Sequence, residues 1–439
     1  MLVFTVNIPM TSLSNKGLFL IFGLIFCQVW AYAQSDKFYT DYYQVKVNGQ
    51  AQEVYYGRPG ALLSTEISEG TNQIDVQYPG EILEVEIIPQ LAHIEQEIQG
   101  NVLRLEVKEA CQFFLKINGN YVYPLMVAVE QPIHSPPKAT LTFEAGVHQV
   151  GELRLASNTR LHLKRGAILK GTVVVEDVHN VHIFGAGLIH GSAIAESSGR
   201  AGLLIKNARE VIVEGISLID APHQHMVLKN AEEIRLRNIK VLGNRELRMG
   251  DDALEIFNSK GVKVTHLISN TRNNSIAFMS ENEMPSQDIQ VDQAVFWKGD
   301  YGNVIEVGYL AEGIHLKDVS LRNIYIAHCL AGAAVAIQGK EMKIEGMKLE
   351  NVQIYDSRLM LYNIQLEESC QLRQVLLKDH EYSGAIPAYS VFQLGRPENA
   401  AGFSMEGISY RGNVVRQLDD LYVKSWDFDW NSSLPALTP

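Results

Sequence analysis

Cysteine is scarce in this 439-residue chain. Only Cys27, Cys111, Cys329 and Cys370 occur, and neither CxxC nor HxxxH spacing is present, which argues against a metal centre. Past residue 33 the cysteines number three, an odd count that does not read as a disulfide framework, so each is expected as a small core residue on a strand. Blocks of Lys and Arg are missing too. With a net charge of −12 the chain offers no patch for neutralising phosphates, and nucleic acid is not an expected partner. Long apolar runs are confined to residues 17–29, short of the roughly 20 residues that span a bilayer. Lys16 before that run and Ala31-Tyr32-Ala33 after it give the order of a secretory signal, with cleavage expected near Ala33. Residues 1–33 are therefore expected to be removed, leaving a secreted or periplasmic protein with no membrane attachment. Helical repeats are excluded as well, because no stretch of about ten residues holds a 3.6-residue apolar period.

A different period is present. Between residues 141 and 407 an apolar–x–apolar triplet keeps returning beside Gly, Asn or Asp. It starts at Val181, Val211, Ile234, Val262, Ile289 and Ile314, at intervals of 30, 23, 28, 27 and 25. Alternation with period 2 marks strands, and a period of this length marks stacked repeats. The combination predicts a right-handed parallel β-helix over residues 138–425. Glycines in Phe184-Gly185-Ala186-Gly187 have no helix after them, so they are expected at a tight coil corner and not in a nucleotide loop.

The stretch from 36 to 130 behaves differently. Strands such as Val102 to Val107 alternate apolar and polar residues, with turns at Asn48-Gly49, Pro79-Gly80, Gln99-Gly100 and Asn118-Gly119. Their irregular spacing of about 10 residues predicts a small antiparallel β-sandwich. Pro132, Pro136 and Pro137 mark a linker after it. The fold class is thus all-β, a sandwich followed by a parallel β-helix. Trp426, Phe428 and Trp430 suggest a strand or cap at the tail, residues 426–439, closing the solenoid.

Stacked coils lie about 4.8 Å apart, so equivalent positions form columns. Three rungs align by pattern, beginning at Gly250, Arg272 and Tyr301. In this register Asp252, Asn274 and Asn303 share one column, and Glu255, Ala277 and Glu306 share another. Glu255 and Glu306 are expected to point outward, about 10 Å apart. Two carboxylates roughly 6.5–9.5 Å apart suit inverting hydrolysis of a glycosidic bond. Asp252 with Glu255 or Glu306 is the candidate pair, and Asp251 is placed to raise its neighbour's pKa by like charge. The competing reading is a turn whose carboxylates bind loop amides. His223 and His225, one rung earlier, line the groove in one reading and pack a coil corner in the other.

Residues 252–264, Asp252-Ala253-Leu254-Glu255-Ile256-Phe257 with Asn258-Ser259-Lys260-Gly261-Val262-Lys263-Val264, resemble the region of polygalacturonase-like glycoside hydrolases that carries their first catalytic Asp. Families 28 and 49 are the relatives in view. The resemblance implies a secreted enzyme that cleaves a plant, algal or bacterial polysaccharide without a cofactor. It places Asp252 at the family's first catalytic position and Asn273-Asn274 where the family carries an Asp pair; Asn303 stands where many relatives have His. Amides cannot carry a proton at neutral pH. Two readings follow. Catalysis rests on Asp252, Glu255, Glu306 and Asp251 while His225, Arg272, Asn273, Asn274, Lys298 and Asn303 bind sugar; or the groove binds an oligosaccharide without cleaving it. A lyase is the third reading, with Arg272 and Lys298 as basic groups and Ca²⁺ at Asp251 or Asp252.

Overall fold

The computed structural model describes residues 38–133, 136–243, 250–280, 284–308, 312–423 and 436–438. The expected signal segment, with its apolar run and Ala33, lies outside these residues, as do Trp426, Phe428 and Trp430. The described residues from 40 onward form one compact unit.

Two five-stranded sheets make the sandwich. The outer sheet pairs Gln44–Val47, Asn72–Gln77, Val102–Val107 and Ile94–Gln99 in antiparallel register; the first three alternate more and less buried residues as expected, while Ile94–Gln99 is exposed almost throughout. The inner sheet contains Gly60–Glu66, Leu125–Glu130 and Cys111–Ile117, buried almost without interruption. One of its faces packs in the sandwich and the other against the β-helix, which removes the alternation. Gly60–Glu66 and Leu125–Glu130 run parallel, a departure from a purely antiparallel sandwich. The long excursion of chain between them passes through both sheets, which lets the second strand return in the same direction.

From Leu141–Phe143 onward the strands form one continuous stack, paired in parallel from coil to coil except for the antiparallel pair Ser409–Tyr410 and Asn413–Val414. A right-handed parallel β-helix results, with Val, Ile, Leu and Met filling its lumen. The coil bends at two positions five residues apart. Glu233, Gly261, Asp288 and Asp318 hold φ between 52° and 66° at one bend; Asn238, His266, Gln293 and Asn323 hold φ between 54° and 58° at the other. This left-handed backbone is tolerated best by Gly, Asn and Asp, which explains their recurrence beside the apolar triplets. At a third corner the side chains add a ladder: the amide of Asn207 donates to Asp177 (3.0 Å), and Asn230 donates to Asn207 (3.0 Å). Gly185 is at a tight corner, where a Cβ would lie 2.1 Å from the carbonyl oxygen of Leu163.

The sandwich docks on one flank of the helix through specific contacts. Gln112 donates to the carbonyl of His266 (3.1 Å), Asn270 donates to that of Pro59 (2.7 Å), and Phe114 packs on Trp297 at 5.2 Å between centroids. At the centre, Lys240 Nζ donates to both oxygens of Glu130 (3.0 and 2.9 Å) and to the carbonyl of Gly215 (2.6 Å). Burial pushes the Glu130 carboxyl up and the Lys240 amine down, against their mutual attraction. Lys240→Ala should therefore destabilise the protein by about 3–5 kcal/mol, because Glu130 is left buried and unpaired. Replacing both residues by Met should cost much less, and denaturant titration of the single and double variants measures the difference.

Candidate functional site

The register expected from the pattern is the register found: Glu255 pairs with Ala277, and Ala277 with Glu306. Leu254 and Ile256 are fully buried in the lumen, which turns Glu255 to the opposite face of its strand. Three residues upstream, the column of Asp252, Asn274 and Asn303 is a hydrogen-bonded ladder. Asp252 Oδ1 accepts from the backbone N–H of Asn274 (2.7 Å), Asn274 Oδ1 from that of Asn303 (2.7 Å), and Asn303 Oδ1 from that of Ala333 (2.7 Å). Asn273 and Asn274 both press on Gly302, where a Cβ would sit 2.1 Å and 2.5 Å from their Oδ1 atoms. Glycine at this left-handed position (φ 63°) leaves both side chains in place.

Asp252 is 3% exposed and Glu255 6%. Burial raises the Asp252 pKa well above the usual carboxylate range, and the charge of Glu255 and a hydrogen bond with it raise it further. Like charge in such contact disfavours ionisation of Asp252. Gln224 Nε2 donates to Glu255 Oε1 (3.1 Å) from the preceding coil. Gln224 was not singled out from the sequence. It stands three residues before Val227, which pairs with Glu255, so extending the Asp252 column back by one rung finds it.

The neighbouring residues divide by exposure. Asp251, 1% exposed, has φ 71° and accepts from the N–H of Arg272 through Oδ2 (2.8 Å). His225 is fully enclosed: Nδ1 faces the carbonyl of Asp252 (3.1 Å), Nε2 lies 3.8 Å from Asp251 Oδ1, and the N–H of Ala221 points at Nε2 (3.4 Å). A proton on Nδ1 satisfies the first and last of these contacts, so His225 is the packed corner histidine of the second reading. Lys298 is also enclosed. Its ammonium caps the carbonyls of Ala331 and Gly299, and burial lowers its pKa. Glu306 is fully buried and accepts from the side-chain amide of Asn303, so it faces outward but does not reach solvent. In this geometry His225, Lys298 and Glu306 support neighbouring groups. The accessible rim consists of Asn273 with Arg272, whose guanidinium binds Asp300 and lies 5.8 Å from the Tyr301 ring centre. Asp300 and Tyr301 were not singled out either; their sequence signal is an acidic-aromatic pair in the turn before the Asn303 rung.

Residues 138–299 match the profile "Glycosyl hydrolases family 28". No curated protein matches the chain in sequence. Among solved structures, Dex49A from Penicillium minioluteum superposes with a TM-score of 0.65 at 13% identity, covering 91% of this chain and 92% of that one. The family 28 exopolygalacturonase of Yersinia enterocolitica gives a TM-score of 0.42 at 11% identity, covering 84% and 96%.

The raised pKa has a sign that can be tested. A proton bound more tightly in the folded state stabilises it fully below the ordinary Asp range, and that contribution fades as pH rises through the raised pKa. Asp252→Asn should flatten this decline, which urea unfolding across pH measures; an unchanged pH profile would mean that Asp252 is not the group protonated. Asn274→Ala should cost about 1–3 kcal/mol, since it leaves the Asn303 N–H buried without its acceptor. By its matched segment and its β-helix, the chain is similar to the polygalacturonase-like glycosyl hydrolases of family 28 over residues 138–299.

Proposed function

We propose that the protein is an exported polysaccharide hydrolase in which Asp252 and Glu255 hold the proton delivered to the leaving glycosidic oxygen. The observation that carries this reading is the buried carboxyl pair, with Asp252 protonated well above the usual range. General acids need such a shift to keep their proton near neutral pH. The matched segment includes both residues and stops before Asn303 and Glu306. Asp252 and Glu255 lie too close to each other to flank a sugar and a water, and Glu306 does not reach solvent, so the water-activating carboxylate is Asp251. Asn273 and Asn274 offer amides for sugar hydroxyls. The substrate is a plant, algal or bacterial glycan, and inversion is the expected stereochemical outcome.

Assays on pectic, dextran-like and algal polysaccharides test this. Asp252→Asn and Glu255→Gln should each lower kcat at least about a hundredfold with the fold intact by circular dichroism. Asp251→Asn should match that loss and Glu306→Gln should not, which distinguishes the base from the enclosed carboxyl. Full kcat in Asp252→Asn eliminates the mechanism. Export is tested separately by mass spectrometry, with the mature chain expected to start at or near Gln34.

A second reading is favoured by the ladder itself. Asp252 Oδ1 serves a backbone amide as Asn274 and Asn303 do, and the column continues in amides alone. A groove that binds glycan without cleaving it would leave the wild type inert on the whole panel, with binding weakened by Asn274→Leu. Gain of hydrolysis in the Asn273→Asp, Asn274→Asp double variant would then trace the loss to the missing proton carriers.

A further inference from the structure

Where the inner sheet of the sandwich meets the β-helix, a cavity of about 400 Å³ opens between Gln112, Ile133, Ala186, Glu214, Arg237 and His266. The proposed chemistry uses none of these residues. Each carboxylate in its wall already has a cation: Glu66 has Arg165 (3.2 Å), Glu130 has Lys240 (2.9 Å) and Glu214 has Arg237 (2.6 Å). Glu214 also bonds His182 (2.8 Å), which together with Arg237 keeps its carboxyl below the usual range against the effect of burial. The wall therefore carries both charges in balance and gives no net attraction to an ion.

Two polar atoms in this wall stand out. Gln112 is 8% exposed and spends its amide N–H on the carbonyl of His266, while its Oε1 has no partner among the described residues. His266 sits at a left-handed corner with φ 55°, and its Nδ1 likewise has no partner among them. Burial lowers the His266 pKa, which keeps the ring neutral at neutral pH. Each such buried atom costs about 1–3 kcal/mol until a partner reaches it. Arg237 adds a donor at the mouth, with its side chain 56% exposed. Val129, Pro132 and Ile133 supply an apolar side.

We infer that this junction cavity is a second binding site, separate from the Asp252 groove, for a neutral mono- or disaccharide. Balanced wall charges select an uncharged ligand. The Gln112 Oε1 acceptor calls for a hydroxyl donor, His266 Nδ1 can donate to or accept from a hydroxyl, and the apolar side suits the C–H face of a pyranose ring. The size falls within the roughly 300–1,000 Å³ of small-molecule sites. The inference does not depend on hydrolysis and stands if the protein proves inert.

Titration calorimetry on the full chain tests it, using glucose, galactose, maltose and lactose as neutral probes and galacturonate as the charged one. Saturable binding of a neutral probe is expected, weakened at least about tenfold by Gln112→Leu, the equivalent of about 1.4 kcal/mol. Ala186→Trp should fill the cavity and abolish binding; Ala110→Trp, on the same wall, does so by another route if the first variant folds poorly. Asn274→Leu, in the groove, should leave this binding unchanged. The inference is overturned if no neutral probe saturates, which assigns the cavity to water, if only galacturonate binds, or if Asn274→Leu weakens binding while the cavity variants do not.

Discussion

Everything in the helical part of this protein depends on the left-handed bends repeated in successive coils, two of them five residues apart. In successive coils Glu233 and Asn238, Gly261 and His266, Asp288 and Gln293, and Asp318 and Asn323 hold positive φ at the same two points. A non-glycine residue in that conformation is unfavourable on its own. It persists because the flanking strands on each side are hydrogen-bonded in register to the coils above and below. With the bends fixed, the strands between them have one length and one facing pattern. The lumen then receives Val, Ile and Leu at every rung, and the outward positions fall into columns.

Columns have a cost for polar residues. A side chain at the start of a strand lies over the N–H of the next rung, and if that N–H is to be buried it needs an acceptor. Asp252, Asn274 and Asn303 each supply one to the coil that follows. This is why the candidate site is so enclosed. Its polar groups are tied first to backbone, and what remains for a substrate is the face that the ladder leaves over: the Asp252–Glu255 pair with Gln224 behind it, and the rim of Arg272, Asn273 and Tyr301.

The β-helix and its register were legible because the same physics acts on every coil. Ile234, Val262 and Ile289 could be matched as equivalent triplets, and the pairing of Glu255 with Ala277 and Glu306 came from matching the pattern of the rungs that begin at Gly250, Arg272 and Tyr301. The sandwich was legible only in its outer sheet. Gly60–Glu66 and Leu125–Glu130 carry no alternation, because the helix buries their second face, and a partner hundreds of residues away in sequence leaves no local mark. At the site, direction was readable and depth was not. Glu306 does face away from the lumen, yet it is fully buried, and Lys298 spends its charge on the carbonyls of Gly299 and Ala331. Exposure at those positions depends on neighbouring loops, whose conformations obey no repeat.

The ladder also bears on how acidic residues in its column should be read. Stacking demands only an acceptor at each rung, and Asp Oδ1 and Asn Oδ1 meet that demand at the same 2.7 Å. Fold stability therefore does not distinguish Asp from Asn there when the second oxygen or the amide is otherwise satisfied. A carboxyl is the costlier choice in so enclosed a place, since a charged form must be desolvated and a neutral form must hold its proton. Asn would serve the ladder at position 252 as it does at 274 and 303. An Asp at that rung has one oxygen pinned to the Asn274 N–H and a carboxyl that also meets Glu255. That arrangement does nothing further for stacking, and its physical consequence is a carboxyl held in place and biased toward its protonated form.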